Sequence, residues 1–350
     1  MKDSNTETDI VFSLLEMVFT NIGTTYLDSE SYSALLQCGK SQLLRFKTGG
    51  YRLRIKDLVI LANAIEKCFF EKIDEKYSQS KMPKIYITNV HLSTPEVKPK
   101  EKVVVGIAEI KLNFEEFFQK TEVDFGQLYE LKVKKVDEMI DKYVNAIEIL
   151  EKDQKLDIVC FPELMCPPVN KLAPIFELAK KYDLYIIAGS YHNIGELSNE
   201  AVIISPDGTP HFQKKFLKSD DEGIKPTSWG YLKVFDSKIG RFVVPICLDL
   251  EHEELAPLLT RMRNRCNGVD FIFNPSFHKA PERAKSRLIN LSEDIMAVGV
   301  FVNGHRKGGS FIFDLSKEFF GLKKDVLVKV INVKSIRDDR KQNFPCRVSS

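Results

Sequence analysis

Two different hydrophobic patterns divide the chain near residue 95. Before that point, "LVILANAIEKCFFEKI" (58–73) places apolar residues at spacings of three and four, which predicts an amphipathic helix. The segment "HLSTPEVKPKEK" (91–102) then carries two prolines, which disfavour helix. We therefore expect residues 1–95 to form a mostly helical N-terminal extension of unknown role, and residues 96–350 to form a second domain.

Beyond residue 95, short apolar runs dominate. The predicted strands are "KVVVGIAEI", "LDIVCF", "LYIIAG", "EAVIISPDG", "RFVVPIC", "DFIFNPS", "GVFVNG", "SFIFD" and "VLVKVINV". Long helices are predicted at "LKVKKVDEMIDKYVNAIEIL", "LAPIFELAKKYD" and "RAKSRLINLSEDIMAV". Runs of Val and Ile without clean alternation indicate sheets that are covered on both faces. Because a doubly wound sheet needs a helix at nearly every crossover, we expect an α/β domain of the layered α+β kind, with two stacked sheets and helices outside.

Composition narrows the class of protein without naming a ligand. Hydrophobic residues make up 43% and charged residues 29% of the 350 residues, and the formal net charge is +2. These values are ordinary for a globular domain and do not require a nucleic-acid or membrane partner. The seven cysteines are an odd number in a chain long enough to fold without disulfides, which indicates reduced thiols. We expect a cytoplasmic protein without a secretory leader, membrane span or cofactor.

Three stretches place reactive side chains near strand ends. Glu163 follows "LDIVCF", where a partly desolvated carboxylate could act as a general base. Cys247 ends "RFVVPIC" and precedes an acidic run. In "HFQKKFLKSDDEG" (211–223), alternation with Phe212 and Phe216 predicts that Lys214 points inward, while Lys215 and Lys218 are solvated. An inward ammonium requires anionic partners or a chemical role, whereas each stretch taken alone is more commonly a solvated loop.

Together and in this order, the three stretches resemble the nitrilase superfamily of carbon–nitrogen hydrolases. The resemblance rests on "FPE" at 161–163, on "KKFL" at 214–217, and on "CLDLEHEE" at 247–254. Glu222 matches the family's second glutamate, which lies between the lysine and the cysteine. The likeness extends over roughly residues 102 to 335. It implies an αββα four-layer sandwich that pairs into a homodimer or a higher homo-oligomer.

The resemblance also implies a reaction and a set of site residues. Cys247 would attack the carbon of a small amide or nitrile, Glu163 would move the proton, and Lys214 would stabilise the negative charge that develops. Glu222 would position the substrate or the lysine. We also expect Leu248 and Asn274 to bind substrate. This chain departs from the family pattern at Leu248, where an aromatic residue is common, and at Glu251, which stands where the family has arginine.

Other functions remain open at the level of sequence. A cysteine–histidine hydrolase could use His252, His278 or His305, but no spacing fixes a partner for them. A metal site formed by residues 160, 166 and 192 lacks the paired spacing of zinc motifs, so we expect none.

The domain could instead serve as a binding or assembly module within a larger defence or nucleic-acid-associated system, with hydrolysis secondary. The stretch "RFKTGGYRLRIK" (45–56) combines basic and aromatic residues, as nucleic-acid sites do. A solvated turn around its two glycines is the interpretation that we prefer. We therefore expect neither nucleic acid nor membrane as a partner.

Overall fold

The computed structural model describes residues 84–92, 98–220, 222–227, 229–264, 268–315, 319–321 and 326–344. The chain divides into two compact units, Met1–Tyr86 with Thr227–Trp229, and Ile87–Pro226 with Gly230–Ser350. The helix expected at 58–73 and the basic stretch at 45–56 lie outside the described residues. Apart from the first residues of two strands, Lys84–Tyr86 and Trp229, what is described below belongs to the second unit.

Strands and helices follow one another along the described residues. The strands are β1 (Lys84–His91), β2 (Lys102–Ala108), β3 (Phe118–Val123), β4 (Gly126–Leu131), β5 (Ile158–Cys160), β6 (Tyr185–Asn193), β7 (Ser198–Ile204), β8 (Pro210–Lys214), β9 (Trp229–Ser237), β10 (Gly240–Val243), β11 (Phe271–Ser276), β12 (Val298–Asn303), β13 (Phe311–Phe313), β14 (Phe319–Gly321) and β15 (Val326–Asn332). The helices are α1 (Phe114–Phe117), α2 (Val136–Asp153), α3 (Ala173–Tyr182), α4 (Leu255–Asn264), α5 (Glu282–Ile295) and α6 (Val333–Asn343). Short 3₁₀ helices occupy Val133–Lys135, Val169–Lys171 and Cys247–Glu251.

These strands form two large sheets and one hairpin. The first sheet has the order β1-β9-β10-β11-β12-β13-β14, the second the order β15-β2-β5-β6-β7-β8, and β3 pairs with β4. Pairing is parallel between β10, β11 and β12, and also between β2, β5 and β6. Parallel neighbours end at the same edge of a sheet, so side chains that follow these strands are brought close together.

The main apolar core contains residues from both large sheets. The second sheet contributes mainly Val and Ile, and the first sheet contributes phenylalanines. The Phe242 ring stacks on Phe235 with centroids 5.1 Å apart and meets the edge of Phe273 at 5.7 Å. Offset and edge-on ring pairs of this kind add to the stabilisation from burial of apolar area. The sheets therefore pack face to face, as the uniformly apolar strands predict.

Helices cover the outer faces. A second core joins the second sheet to α2 and α3, and α2 buries Met139, Tyr143, Ile147 and Leu150 along one stripe. On the other side α5 lies against β12 at Gly299, where a Cβ atom would stand 2.6 Å from the Ser292 hydroxyl. The expected αββα layering is confirmed.

The second compact unit begins at Ile87, and the domain boundary expected near residue 95 stays a prediction. In the first sheet β1 lies beside β9. Leu92 continues this attachment through an N–H that donates to the Asp236 carbonyl at 2.7 Å. Separately, none of the helices within the described ranges is long and apolar enough to cross a membrane.

Candidate active site

Glu163 lies just beyond β5, on a turn that a glycine in the neighbouring strand makes possible. Gly189 of β6 has φ +70°, and a Cβ atom there would stand 1.8 Å from the Pro162 carbonyl oxygen. A residue with a side chain would therefore push the turn away. The Leu164 N–H donates to the Ser190 hydroxyl at 3.2 Å, which fixes the other side of the turn. As a result the Glu163 side chain is buried, with the residue 3% exposed.

The inward lysine is Lys215, and the prediction that Lys214 points inward is wrong. Lys214 pairs with Glu200 across β7 and β8, its side chain is 58% exposed, and its ammonium bonds Glu196. Lys215 comes one residue after the end of β8, and its side chain is 2% exposed. The faces are reversed because Gln213, not Phe212, lies on the inner side of β8.

Gln213 is fully buried because its amide is completely used by neighbouring backbone. Its Nε2 donates to the Tyr231 carbonyl at 2.6 Å and to the Lys214 carbonyl at 2.7 Å, and its Oε1 accepts from the Lys233 N–H at 2.8 Å. A buried polar group is stable when its hydrogen bonds are satisfied in this way. Alternation along the chain then places Lys215 on the same inner side.

Lys215 joins two buried carboxylates. Its Nζ lies 2.9 Å from Glu163 Oε1 and 2.7 Å from Glu222 Oε2. Burial alone would lower the pKa of Lys215, but the charges of Glu163 and Glu222 outweigh it and raise that pKa well above its usual value. For Glu222, burial works to raise the pKa, but the Lys215 ammonium and His192 hold it well below its usual range. Lys215 and Glu222 are therefore an ion pair at neutral pH.

Asn199 and His192 hold the carboxylates in place. Asn199 Nδ2 donates to Glu163 Oε1 at 2.9 Å and to Glu222 Oε1 at 2.8 Å. His192 Nε2 lies 3.2 Å from the same oxygen of Glu222, and its Nδ1 accepts the Tyr129 N–H at 2.7 Å. Because Nδ1 is an acceptor, the proton must be on Nε2, and the neutral ring donates to Glu222. Sequence analysis assigned no role to Asn199 or to His192.

The β3–β4 hairpin supplies part of this support. Besides the Tyr129 N–H, the hairpin provides the Gln127 carbonyl, which accepts the Gly223 N–H at 2.8 Å. Gln127 also forms an isolated parallel bridge with Glu222. The hairpin therefore fixes the backbone of the Glu222 loop as well as the imidazole that orients its side chain.

Cys247 sits at a strained turn beyond β10. Its φ is +49°, a left-handed conformation that costs a non-glycine residue about 1–3 kcal/mol unless its surroundings enforce it. Asn274 Nδ2 donates to the Pro245 carbonyl at 2.8 Å and to the Cys247 carbonyl at 3.2 Å, and its Oδ1 accepts from the Ser276 hydroxyl. These bonds use all the polar atoms of the Asn274 amide. The Asn274 side chain therefore holds the Cys247 turn, and its expected contact with substrate stays a prediction.

Asp249 connects the cysteine turn to the lysine segment. Its Oδ1 accepts from the N–H groups of Phe216 at 3.0 Å and Leu217 at 2.7 Å, and its Oδ2 accepts from the Ile246 N–H at 3.1 Å. Burial raises the pKa of Asp249 to about 8, against the opposing effects of Lys215 and the three amides. This residue is part of the "CLDLEHEE" motif, but its role in fixing the distance between Cys247 and Lys215 was not expected.

The thiol of Cys247 lies within electrostatic reach of Glu163 and Lys215. Burial and the Glu163 charge raise its pKa well above the usual thiol value, while Lys215 and the backbone N–H of Phe277 act in the opposite direction. The resting residue is therefore a protonated thiol, and attack by sulfur requires a base to take its proton. Glu163 is a carboxylate that the fold places beside it.

The remaining candidates take other positions. Leu248 is half-buried against the core between the sheets, so its predicted contact with substrate stays a prediction. His252 is buried, and its Nδ1 accepts the Glu254 N–H at 3.1 Å. Glu251 pairs with Arg283 at 2.7 Å. Among the described residues, no group of three His, Cys, Asp or Glu side chains is placed to hold a metal ion.

Comparison with known proteins agrees with this fold. The family model for carbon–nitrogen hydrolases matches residues 126–295. Nit3 of Saccharomyces cerevisiae, described as a member of branch 10 of the nitrilase superfamily, superposes with a TM-score of 0.57 at 16% identity, covering 73% of this chain and 99% of that one. XC1258 of Xanthomonas campestris, described as a protein of the same hydrolase superfamily with an arsenic adduct in its active site, gives 0.52 at 14% identity, covering 70% and 96%.

A curated relative is more similar in sequence over a shorter range. Probable hydrolase YhcX of Bacillus subtilis is 32% identical over 106 residues, which make up 28% of this chain. The match spans only 19% of that protein's length. Residues 126–295 thus match the family of carbon–nitrogen hydrolases, and the layered fold is the one found in solved proteins of the nitrilase superfamily.

Proposed function

We propose that this chain hydrolyses a small amide through a thioester on Cys247. The observation that carries the proposal is the buried bridge from Lys215 to Glu163 and Glu222 beside the thiol. An isolated buried ion cluster is costly to desolvate, and replacing it with apolar residues is often neutral or stabilising. Groups with strongly perturbed pKa values around a nucleophile are more typical of a catalytic site than of a core.

In the first half of the reaction, the Cys247 thiol proton passes to Glu163 as sulfur bonds to the amide carbon. The carbonyl oxygen becomes negative, and the Lys215 ammonium with the backbone N–H that follows Cys247 stabilises it. The carbon–nitrogen bond then breaks, and the nitrogen leaves as ammonia or an amine after taking the proton from Glu163. The product of this half is a thioester on Cys247.

In the second half, Glu163 takes a proton from a water molecule while the oxygen of that water bonds to the thioester carbon. The carbon–sulfur bond breaks, Glu163 returns the proton to sulfur, and a carboxylic acid leaves. Glu222, paired with Lys215 and held by Asn199, keeps the ammonium in position throughout. A nitrile would enter the same sequence through a thioimidate.

Intact-mass measurement against a panel of small amides and nitriles tests this proposal. We expect an acyl adduct on Cys247, released as carboxylic acid with time, together with ammonia. Cys247→Ala should remove both the adduct and the ammonia while leaving the thermal unfolding midpoint within a few degrees. Ammonia release that persists in purified Cys247→Ala protein would refute the mechanism.

A further inference from the structure

Three cationic residues follow β11 and β12, the next two strands after the Cys247 strand in the order of the first sheet. Cys247 comes after β10, Lys279 after β11, and Arg306 and Lys307 after β12. These strands are parallel, with Phe242 opposite Phe271 and Phe271 opposite Val298. Their carboxyl ends therefore share one edge of the sheet. We call Lys279, Arg306 and Lys307 the basic rim.

Direct contacts connect the basic rim to the nucleophile. The backbone N–H of Phe277 favours the Cys247 thiolate, and the Phe277 ring meets the His305 ring edge-on with centroids 5.5 Å apart. Asn303 ties the two loops together: its Oδ1 accepts the His278 N–H at 2.8 Å, and its Nδ2 donates to the carbonyls of His278 at 3.1 Å and Gly308 at 2.7 Å. The rim is therefore carried on hydrogen-bonded loops next to the thiol.

The rim's positive charge is not neutralised locally. All three side chains are exposed, and within the part of the chain that the structure describes none of them forms an ion pair. Neighbouring cations differ in this respect: Lys285 pairs with Glu282 at 2.9 Å, and Arg283 pairs with Glu251 at 2.7 Å.

Three buried acids on the loops and strands around this edge already have partners. Glu163 and Glu222 share Lys215, and Glu109 accepts the Ser310 N–H at 3.0 Å. Burial lowers the pKa of His305, and the charges of Arg306, Lys307 and Lys279 lower it further. All three cations of the basic rim therefore lie within electrostatic reach of the His305 ring.

A second polar group at this edge has an unused hydrogen-bonding atom. His278 Nε2 is buried, and it has no hydrogen-bond partner among the described residues. The charges of Glu163, Glu251 and Lys215 act on this ring, and His278 directly precedes Lys279 of the basic rim in the chain. A buried polar atom without a partner costs free energy unless a ligand or water completes it.

We infer that the molecule processed at Cys247 carries a small anionic group, such as a carboxylate, which the basic rim of Lys279, Arg306 and Lys307 recognises. This inference rests on the proposed function for the reaction, but the rim's preference for anions can be measured without turnover. Unpaired cations beside a site raise the local concentration of anions and discriminate against neutral analogues, and salt weakens the effect.

The first experiment compares iodoacetate with iodoacetamide, two alkylating reagents of similar size that differ in charge. Peptide mass measures how fast each reagent modifies Cys247. The rate with iodoacetate is divided by the rate with iodoacetamide, and this ratio is then divided by the same ratio measured for 2-mercaptoethanol, which removes the intrinsic difference between the reagents. We expect this normalised preference for iodoacetate to be roughly threefold or more, and to fall as ionic strength rises. In the variant carrying Lys279→Gln, Arg306→Gln and Lys307→Gln, the normalised preference for iodoacetate should fall to about one.

A charge-matched control removes three exposed lysines elsewhere, Lys152, Lys171 and Lys181, by substitution with Gln. It should leave the iodoacetate preference unchanged. A native preference equal to that of the reference thiol, or one that survives in the rim variant, would overturn the inference. If Cys247 resists both reagents, thermal shift with succinate decides: a rise in Tm that the rim variant loses supports the rim, and no rise overturns it.

The second experiment uses succinamate and butyramide, which are similar in length and differ in one carboxylate. We expect the rim variant to lower kcat/KM for succinamate at least about tenfold while leaving butyramide within a factor of two, and equal losses for both amides would contradict a charge-reading role. If neither amide is hydrolysed and the iodoacetate preference remains, the proposed hydrolysis fails and the anion site stands.

Discussion

The Lys215 ammonium lies 2.9 Å from the Glu163 carboxylate, and both side chains are almost completely buried. The adjacent lysine in the sequence, Lys214, has an exposed side chain that bonds the exposed Glu196 and lies 3.5 Å from the buried Glu200. Two lysines that are adjacent in the chain thus differ completely: the ammonium of Lys215 is buried in an ion cluster, and the side chain of Lys214 is exposed to solvent. This contrast supplies a matched pair of variants.

Lys215→Gln should reduce amide turnover by on the order of 10²-fold or more, the loss typical of a removed oxyanion donor. Lys214→Gln should stay within a few-fold of the native rate, because an exposed pair contributes little. Ammonia release measures the turnover of both variants, and intact mass shows whether the acyl adduct on Cys247 still forms. Comparable losses in the two variants would show that Lys215 has no special role.

Lys215→Gln should also destabilise the fold, because it leaves Glu163 and Glu222 buried without their cation. Removal of one partner of a buried pair costs about 3–5 kcal/mol. Chemical denaturation of the two lysine variants measures this difference. To separate stability from chemistry, turnover is compared at a temperature where both variants remain folded.

Glu163→Gln should change thiol reactivity and turnover in opposite directions. The Glu163 charge raises the pKa of Cys247, whereas Lys215 lowers it, so removing the carboxylate favours the thiolate. Alkylation of Cys247 by iodoacetamide at about pH 8 should become faster, while hydrolysis falls on the order of 10²-fold or more through loss of the base. Slower alkylation in the variant would contradict the effect of Glu163 on the Cys247 pKa, and unchanged hydrolysis would contradict the assignment of Glu163 as proton acceptor.

Stability should decline at acidic pH through Glu222. Its pKa is held below the usual carboxyl range in the folded state, so the folded protein binds fewer protons than the unfolded chain. The stabilisation is therefore fully present above the ordinary Glu pKa of about 4.3 and is lost progressively below it, as pH falls toward the lowered pKa of the folded state. Denaturation between about pH 6 and pH 3 should show a steeper decline for native protein than for Glu222→Gln. Parallel curves would show that the carboxylate is not coupled to folding.

His192→Ala should slow turnover by releasing Glu222 and the hairpin. The substitution leaves the Tyr129 N–H without its acceptor and removes one donor to Glu222, each bond being worth about 0.5–1.5 kcal/mol net. His192→Gln keeps a donor toward Glu222 and should recover part of the rate, which a purely space-filling role would not predict. As a control, His91→Ala changes a side chain that is 60% exposed and should have no effect on turnover.

Gly189→Ala should destabilise the protein strongly. The new Cβ would meet the Pro162 carbonyl oxygen at 1.8 Å in a backbone with φ +70°, so the Glu163 turn must shift. Gly195→Ala is the matched control, since its Cβ would meet its nearest neighbour at an ordinary 3.6 Å. Urea denaturation of both variants should show the loss only at position 189, and equal midpoints would contradict the close approach.

The sequence by itself determined where the reactive groups enter the fold. Runs of Val, Ile and Phe can be buried only as strands covered on both faces, and this requirement predicts the layered sheets. A polar or reactive residue near the end of such a run marks the end of the strand. For that reason the strand-exit positions of Glu163 and Cys247 could be identified from local pattern, and the ordered motifs gave the resemblance to carbon–nitrogen hydrolases.

Tertiary structure alone decided which lysine is buried and what surrounds it. The inner face of β8 depends on its pairing with β7 and on backbone partners for Gln213 that lie well along the chain. His192, Asn199 and Glu222 come together from separate elements, and the hairpin reaches them through its backbone at Tyr129. Local periodicity carries no information about such distant hydrogen bonds, because they form only when the sheets and loops have packed.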